Sequence, residues 1–184
     1  MYRKCVTETS ALHQKQVEQQ LLELMLKVPY EEITVTQLCQ TAGITRRVFY
    51  HLFNSKQDAL WAMLDHMILE SESWQPDLQD PLLRFFCYWK EHRKLLDALR
   101  ANQMAGLLQE RLIVTVMKED FDLRHRLNAG GWEQETDIIV FQLCGAMGLV
   151  FRWYYEGFRE TPEEMAALLR QILTVPHPNT VLSK

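Results

Sequence analysis

The sequence predicts an all-α protein in which three short N-terminal helices are joined by a fourth to a larger helical domain. Three observations carry this. Apolar residues recur at three- and four-residue spacing along most of the chain, with no competing strand-like alternation. Only 7 Gly and 6 Pro occur in 184 residues, few for the tight turns of an all-β chain. Helix-start signals stand at Thr34-Val-Thr-Gln37, Asp80-Pro81 and Thr161-Pro-Glu-Glu164. The apolar fraction of 47% and charged fraction of 24% suit a folded domain and argue against a disordered tail or a disulfide scaffold.

Residues 11–27 read as the first helix, with Leu12, Val17, Leu21, Leu22, Met25 and Leu26 on one side and Pro29 at its end. Thr34 caps the second, whose apolar side is Val35, Leu38, Cys39 and Ala42, and Gly43 stops it in a tight turn. Thr45 caps the third, with Val48, Phe49 and Leu52 inward. Ser55-Lys-Gln-Asp58 caps the fourth, with Leu60, Met63, Leu64, Met67 and Ile68 as its buried stripe. A polar stretch with Pro76 spans residues 70–80 and reads as a domain boundary.

Beyond it, residues 82–99 form one kinked helix or two. A long helix over 104–127 carries Leu107, Leu108, Leu112, Val116 and Met117 and ends at Gly130-Gly131. The next spans 133–155 and ends at Gly157. The last starts at the Thr161 box, carries Met165, Leu168, Leu169 and Ile172, and ends at Pro176.

The net charge of −4 is unevenly placed. Residues 1–56 carry seven bases and five acids, whereas 34–56 hold three bases and no acid. An acid-free window in an acidic chain is a candidate polyanion-facing surface. Cys5, Cys39, Cys87 and Cys144 are widely spaced and match no zinc or redox motif, which suggests free thiols in a reducing cytoplasm. The N-terminus has no apolar signal segment. The longest uncharged stretch, 138–151, is 14 residues, short of a bilayer span, so it reads as a helix buried in protein.

Two short helices joined by Ala42-Gly43-Ile44-Thr45 have the form of a helix-turn-helix. On the outer face of the second, Arg46, Arg47, Tyr50 and His51 gather without an acid. Guanidinium forks suit guanine edges and phosphates, hydroxyls suit phosphates, and the helix N-terminal part is what enters a major groove.

Residues 33–60, ITVTQLCQTAGITRRVFYHLFNSKQDAL, resemble the DNA-binding segment of the TetR/AcrR family of transcriptional regulators. The resemblance rests on Thr34, the Ala42-Gly43-Ile44-Thr45 turn, Phe49-Tyr50, Phe53 and Ser55-Lys56. It implies phosphate contacts at Thr34 and Thr36, base or phosphate reading at Thr45, Arg46 and Arg47, backbone contacts at Tyr50 and His51, and a phosphate contact at Lys56. Cys39 stands where alanine is common in the family. The implied division is a DNA-binding domain at 1–56 and an effector-binding and dimerisation domain at 57–184.

The uncharged helix over 138–151 needs cover on more than one side. A second copy of the chain would supply it through the last two helices, with Gly145, Gly148, Phe151, Leu168, Leu169 and Ile172 as the interface residues. Residues 82–141 are rich in aromatic and flexible side chains. Most read as core, and Trp89, His92, Met104, Leu108 and Phe121 are the candidate contacts for an apolar or aromatic effector. No catalytic motif, metal site or cofactor site emerges; His66 and Glu70 are one turn apart but lack a third ligand. The expected function is a cytoplasmic, dimeric, ligand-responsive repressor that binds a palindromic DNA operator. The alternatives are an all-α small-molecule-binding protein or enzyme with no DNA role, and a helical interaction module.

Overall fold

The computed structural model describes residues 7–73, 75, 77–117 and 135–174. These form α1 (Glu8–Met25), a 3-10 turn (Tyr30–Glu32), α2 (Val35–Thr41), α3 (Arg46–Leu52), α4 (Lys56–Ser73), α5 (Pro81–Glu91), α6 (Arg93–Ala101), α7 (Ala105–Val116), α8 (Glu135–Tyr155) and α9 (Pro162–Thr174), with no strand among the described residues. Helix α1 packs on α2, α4 and α6, and α2 on α3. Helix α4 continues into the larger part against α5 and α7, which lead on to α8 and α9.

The helix starts follow from short side chains that supply the hydrogen bonds missing in a first turn. Thr7, Thr34, Thr45 and Asp80 accept from backbone N–H groups of α1, α2, α3 and α5. The Thr161 signal closes as a reciprocal capping box: the Glu164 N–H donates to Thr161 Oγ1 at 3.2 Å, and the Thr161 N–H to Glu164 Oε2 at 2.8 Å. Residues 82–99 resolve into two helices, because the chain breaks at His92. Its ring stacks on Tyr88 at 3.9 Å, and its Nδ1 donates to the Tyr88 carbonyl at 2.8 Å.

One continuous core runs from Val17 and Phe49 in the N-terminal helices through Leu60 and Leu64 of α4 to Trp89, Trp153 and Leu169. Two expected core residues stand outside it. Leu12 is 57% exposed and Leu26 is also exposed. Leu12 is nine residues from Leu21, and Leu26 nine from Val17, which at 3.6 residues per turn puts each on the far side of α1. Leu24 takes a buried place instead. Met117 is likewise exposed, while the 104–127 helix beyond Met117, the Gly130-Gly131 stop and Pro176 lie outside the described residues. Helix α8 is long and apolar enough to cross a membrane by length and composition. In the fold it lies against α5 and α7, with Met147, Val150 and Trp153 buried.

Polar side chains fix how the helices sit. Asp65 of α4 is fully buried and receives Arg111 of α7 bidentately, Nε to Oδ1 at 2.9 Å and Nη2 to Oδ2 at 2.8 Å. Asn102, after α6, accepts from the Tyr30 N–H at 2.6 Å and donates to the Met25 carbonyl at 3.0 Å. His66 of α4 meets Glu18 of α1, Nδ1 to Oε2 at 2.9 Å.

The Glu18 hydrogen bond raises the His66 pKa above its ordinary 6.5, against the opposing effect of burial. A raised folded-state pKa gives stability that is fully present below the unfolded value and is lost as pH rises through the folded value. Wild type should therefore lose urea resistance as pH rises above the ordinary histidine value of about 6.5, and His66→Gln should lose less over the same rise. Parallel pH profiles for the two proteins would remove this pair from the α1–α4 contact.

Candidate nucleic-acid interface

The turn between α2 and α3 is built by glycine. Gly43 has φ +67, a left-handed conformation that a β-carbon disfavours. The Ile44 N–H returns to the Cys39 carbonyl at 3.0 Å and the Gly43 N–H to Gln40 at 3.4 Å, the paired bonds of a Schellman stop. Thr45 then caps α3 through the Val48 N–H at 3.2 Å. Phe49 and Leu52 are buried, which leaves Arg46, Arg47, Tyr50 and His51 exposed on the other face.

On that face Arg46 is braced. Its Nη1 donates to Thr36 Oγ1 of α2 at 3.0 Å and its Nη2 to the Tyr50 hydroxyl at 3.5 Å. Its guanidinium carbon is 5.8 Å from the centre of the Tyr50 ring. Arg47 and His51 extend the face beside it. Among the described residues no carboxylate lies within ion-pair distance of Arg46 or Arg47. Thr34 is exposed at the start of α2, where it caps the helix through the Gln37 N–H at 3.1 Å.

Lys56 is placed differently from its neighbours in sequence. It is half-buried, and its ammonium donates to the Tyr30 carbonyl at 2.5 Å and the Glu31 carbonyl at 3.3 Å. It also lies 4.1 Å from the centre of the Tyr30 ring. Desolvation lowers its pKa, partly offset by Glu31. The start of α4 is occupied by Ser55, which accepts from the Asp58 N–H at 3.1 Å. The structure thus brings Thr36, Arg46 and Tyr50 into one hydrogen-bonded group with Arg47 and His51 alongside, and uses Lys56 to hold the Tyr30 turn.

The effector candidates are scattered. Trp89 and Leu108 are fully buried, His92 is engaged with Tyr88, Met104 is half-buried, and Phe121 lies outside the described residues. The Trp89 indole N–H is buried without a hydrogen-bond acceptor among the described residues. Of the interface candidates, Gly145 and Gly148 are exposed, Phe151 is half-buried, and Leu168 and Ile172 are exposed. Leu169 is turned into its own protomer and is 4% exposed, so it contributes no outer surface. His66 pairs with Glu18, and among the described residues no cluster of three or more metal-ligating side chains occurs.

Residues 76–175 match a family described as the C-terminal region of TetR-type transcriptional regulators, over half the chain. Among solved structures, one named as the dihydroxyacetone kinase operon activator DhaS superposes with a TM-score of 0.57. It shares 18% identity, and the match covers 88% of this chain and 93% of that one. At that identity the likeness is one of fold. No curated protein matches. With a helix-turn-helix whose exposed face is basic, followed by that C-terminal region, the chain belongs to the TetR family of transcriptional regulators.

Proposed function

We propose that the protein acts in the cytoplasm as a homodimer that binds a palindromic operator and represses from it until an effector enters residues 57–184. The observation that carries this reading is the face of α3, where Arg46 is held in position by Thr36 and Tyr50 and, among the described residues, no carboxylate pairs with either arginine. Residues 1–56 supply that face. A braced guanidinium suits a phosphate, and the freer Arg47 suits a base edge. Thr34, Thr45, Tyr50 and His51 add backbone contacts. Lys56 supports them by fixing the Tyr30 turn and retains one N–H for a phosphate.

Dimerisation rests on α8 and α9. Ile138, Phe141, Gly145 and Gly148 are all exposed and fall at i, i+3, i+7 and i+10, one stripe of α8. Leu168 and Ile172 expose a second apolar pair, one turn apart on α9. A two-fold dimer matches the symmetry of a palindromic site. The effector reading rests on the aromatic interior around Trp89, whose unmet indole donor favours a largely apolar ligand that carries an acceptor. Such a ligand shifts DNA binding only by preferring one arrangement of the two heads. The name of the structural neighbour, an activator, favours a second reading of the sign. A reporter driven by the target promoter, measured with and without the gene, decides between them.

Binding selection on randomised duplexes tests the reading face. Arg47→Ala should cost about 1–3 kcal/mol and relax preference at one operator position, whereas Arg46→Ala should weaken all sequences alike. If both variants stay folded and select the operator with unchanged preference and affinity, sequence is not read by these arginines.

Gly148→Arg tests the interface. Gly148 is exposed and a β-carbon there meets nothing within 4 Å in the protomer, so a side chain can leave the helix without a clash at its base. A desolvated charge in the stripe should convert the dimer to monomer in sedimentation velocity. An unchanged dimer would place the interface elsewhere.

A further inference from the structure

The segment between α6 and α7 reaches back to the N-terminal helices through one side chain. Asn102 caps the end of α6. Its Nδ2 donates to the Ala98 carbonyl at 2.8 Å and to the Met25 carbonyl at 3.0 Å, and its Oδ1 accepts from the Tyr30 N–H at 2.6 Å. One amide thus ties α6 to the end of α1 and to the turn that enters α2. The carbonyl of the same Tyr30 accepts from Lys56 of α4, and Tyr30 is buried. The segment is itself tightly held. Gln103 has φ +57, uncommon for a residue with a β-carbon, and the Met104 N–H donates to the Leu99 carbonyl at 2.7 Å.

We propose that Asn102 is a positioning residue that couples α6 and α7 of the effector-binding part directly to the α2–α3 head, through the Tyr30 turn and independently of α4. This coupling presupposes the DNA-binding reading above and names a means of its regulation. The turn, Tyr30–Glu32, is followed by Ile33, which is buried, and then by Thr34, the cap of α2. No slack separates the turn from the helix-turn-helix.

The Asn102–Tyr30 bond is either made or broken. If the α6–α7 segment moves away while the head stays, the Tyr30 N–H loses its acceptor, and a partly buried donor without a partner is disfavoured. The head therefore follows the segment. A second tie from α6 to α1, Lys94 Nζ to Glu23 Oε1 at 3.2 Å, is largely exposed and holds little. Met104, a candidate effector contact, stands two residues from Asn102, so a ligand that displaces it acts on this bond. Coupling of this kind is reciprocal. An operator that holds the head in one position favours the segment position in which the bond is made.

Residue-resolved amide hydrogen exchange, with and without saturating operator duplex from the binding selection, tests this. In wild type the operator should slow exchange at Met104, on the effector side of the bond, by about fivefold or more. Asn102→Ala should lose that operator effect at Met104 while its α3 amides still respond to the duplex. A merely structural Asn102 would instead raise Met104 exchange equally in the free and bound states. Wild-type Met104 exchange indifferent to operator, or an operator effect that survives in Asn102→Ala, overturns the coupling and leaves the reading of α3 intact. The wild-type comparison decides alone if the variant does not fold. Failure of wild type to bind any duplex in the selection sinks the DNA-binding reading itself.

Discussion

The buried pair of Asp65 and Arg111 is the constraint on which the arrangement of this chain depends. Asp65 sits in the middle of α4, and Arg111 is almost as enclosed on α7, with side-chain exposures of 1% and 13%. Two charges removed from water are costly unless they meet with good geometry and their remaining hydrogen-bonding capacity is used. Here the fork is bidentate, Thr115 adds a hydroxyl at 3.4 Å, and the guanidinium carbon lies 5.4 Å from the centre of the Trp61 ring. Apolar packing alone would let α4 slide against α7 with little change in buried area. A bidentate pair does not, because a shift of one turn would leave a carboxylate buried and unmatched.

That fixed register matters because α4 belongs to both parts of the molecule. Its first turn is tied to the N-terminal helices by Lys56 on the Tyr30 and Glu31 carbonyls. Its centre meets α1 through His66 and Glu18. The Tyr30 turn is also held from the far side, where Asn102 receives its N–H. The turn preceding α2 is thus held by two polar contacts, one from the start of α4 through Lys56 and one from Asn102 in the segment between α6 and α7. A ligand that prefers one α4–α7 arrangement over another has a physical route to the α3 face.

The local parts of this arrangement were legible in the sequence. Thr34, Thr45, Asp80 and Thr161 act within three residues of themselves, and Gly43 answers a purely local backbone demand, so each helix start and the central turn could be placed from neighbouring residues. The outer face of α3 followed from the apolar spacing of Val48, Phe49 and Leu52. What escaped was long-range. Asp65 and Arg111 are 46 residues apart, and each looks like a solvated charge until two helices bring them together. Asn102 gives no signal beyond a helix end. Lys56 shows a cation at a helix start, but not that the Tyr30 turn would take its ammonium. Leu12 and Leu26 were misplaced because an apolar residue on the far side of a helix is unremarkable among many on the near side.

A double-mutant cycle on the pair, read by urea unfolding of Asp65→Ala, Arg111→Ala and the double variant at neutral pH, tests the central claim most directly. Each single substitution leaves one buried charge without its counterpart and should cost about 3–5 kcal/mol. The double variant removes both charges and should lose well under the sum, with a coupling energy of at least about 1 kcal/mol. Additive losses, or single variants as stable as wild type, would contradict the claim that this contact sets the register of α4.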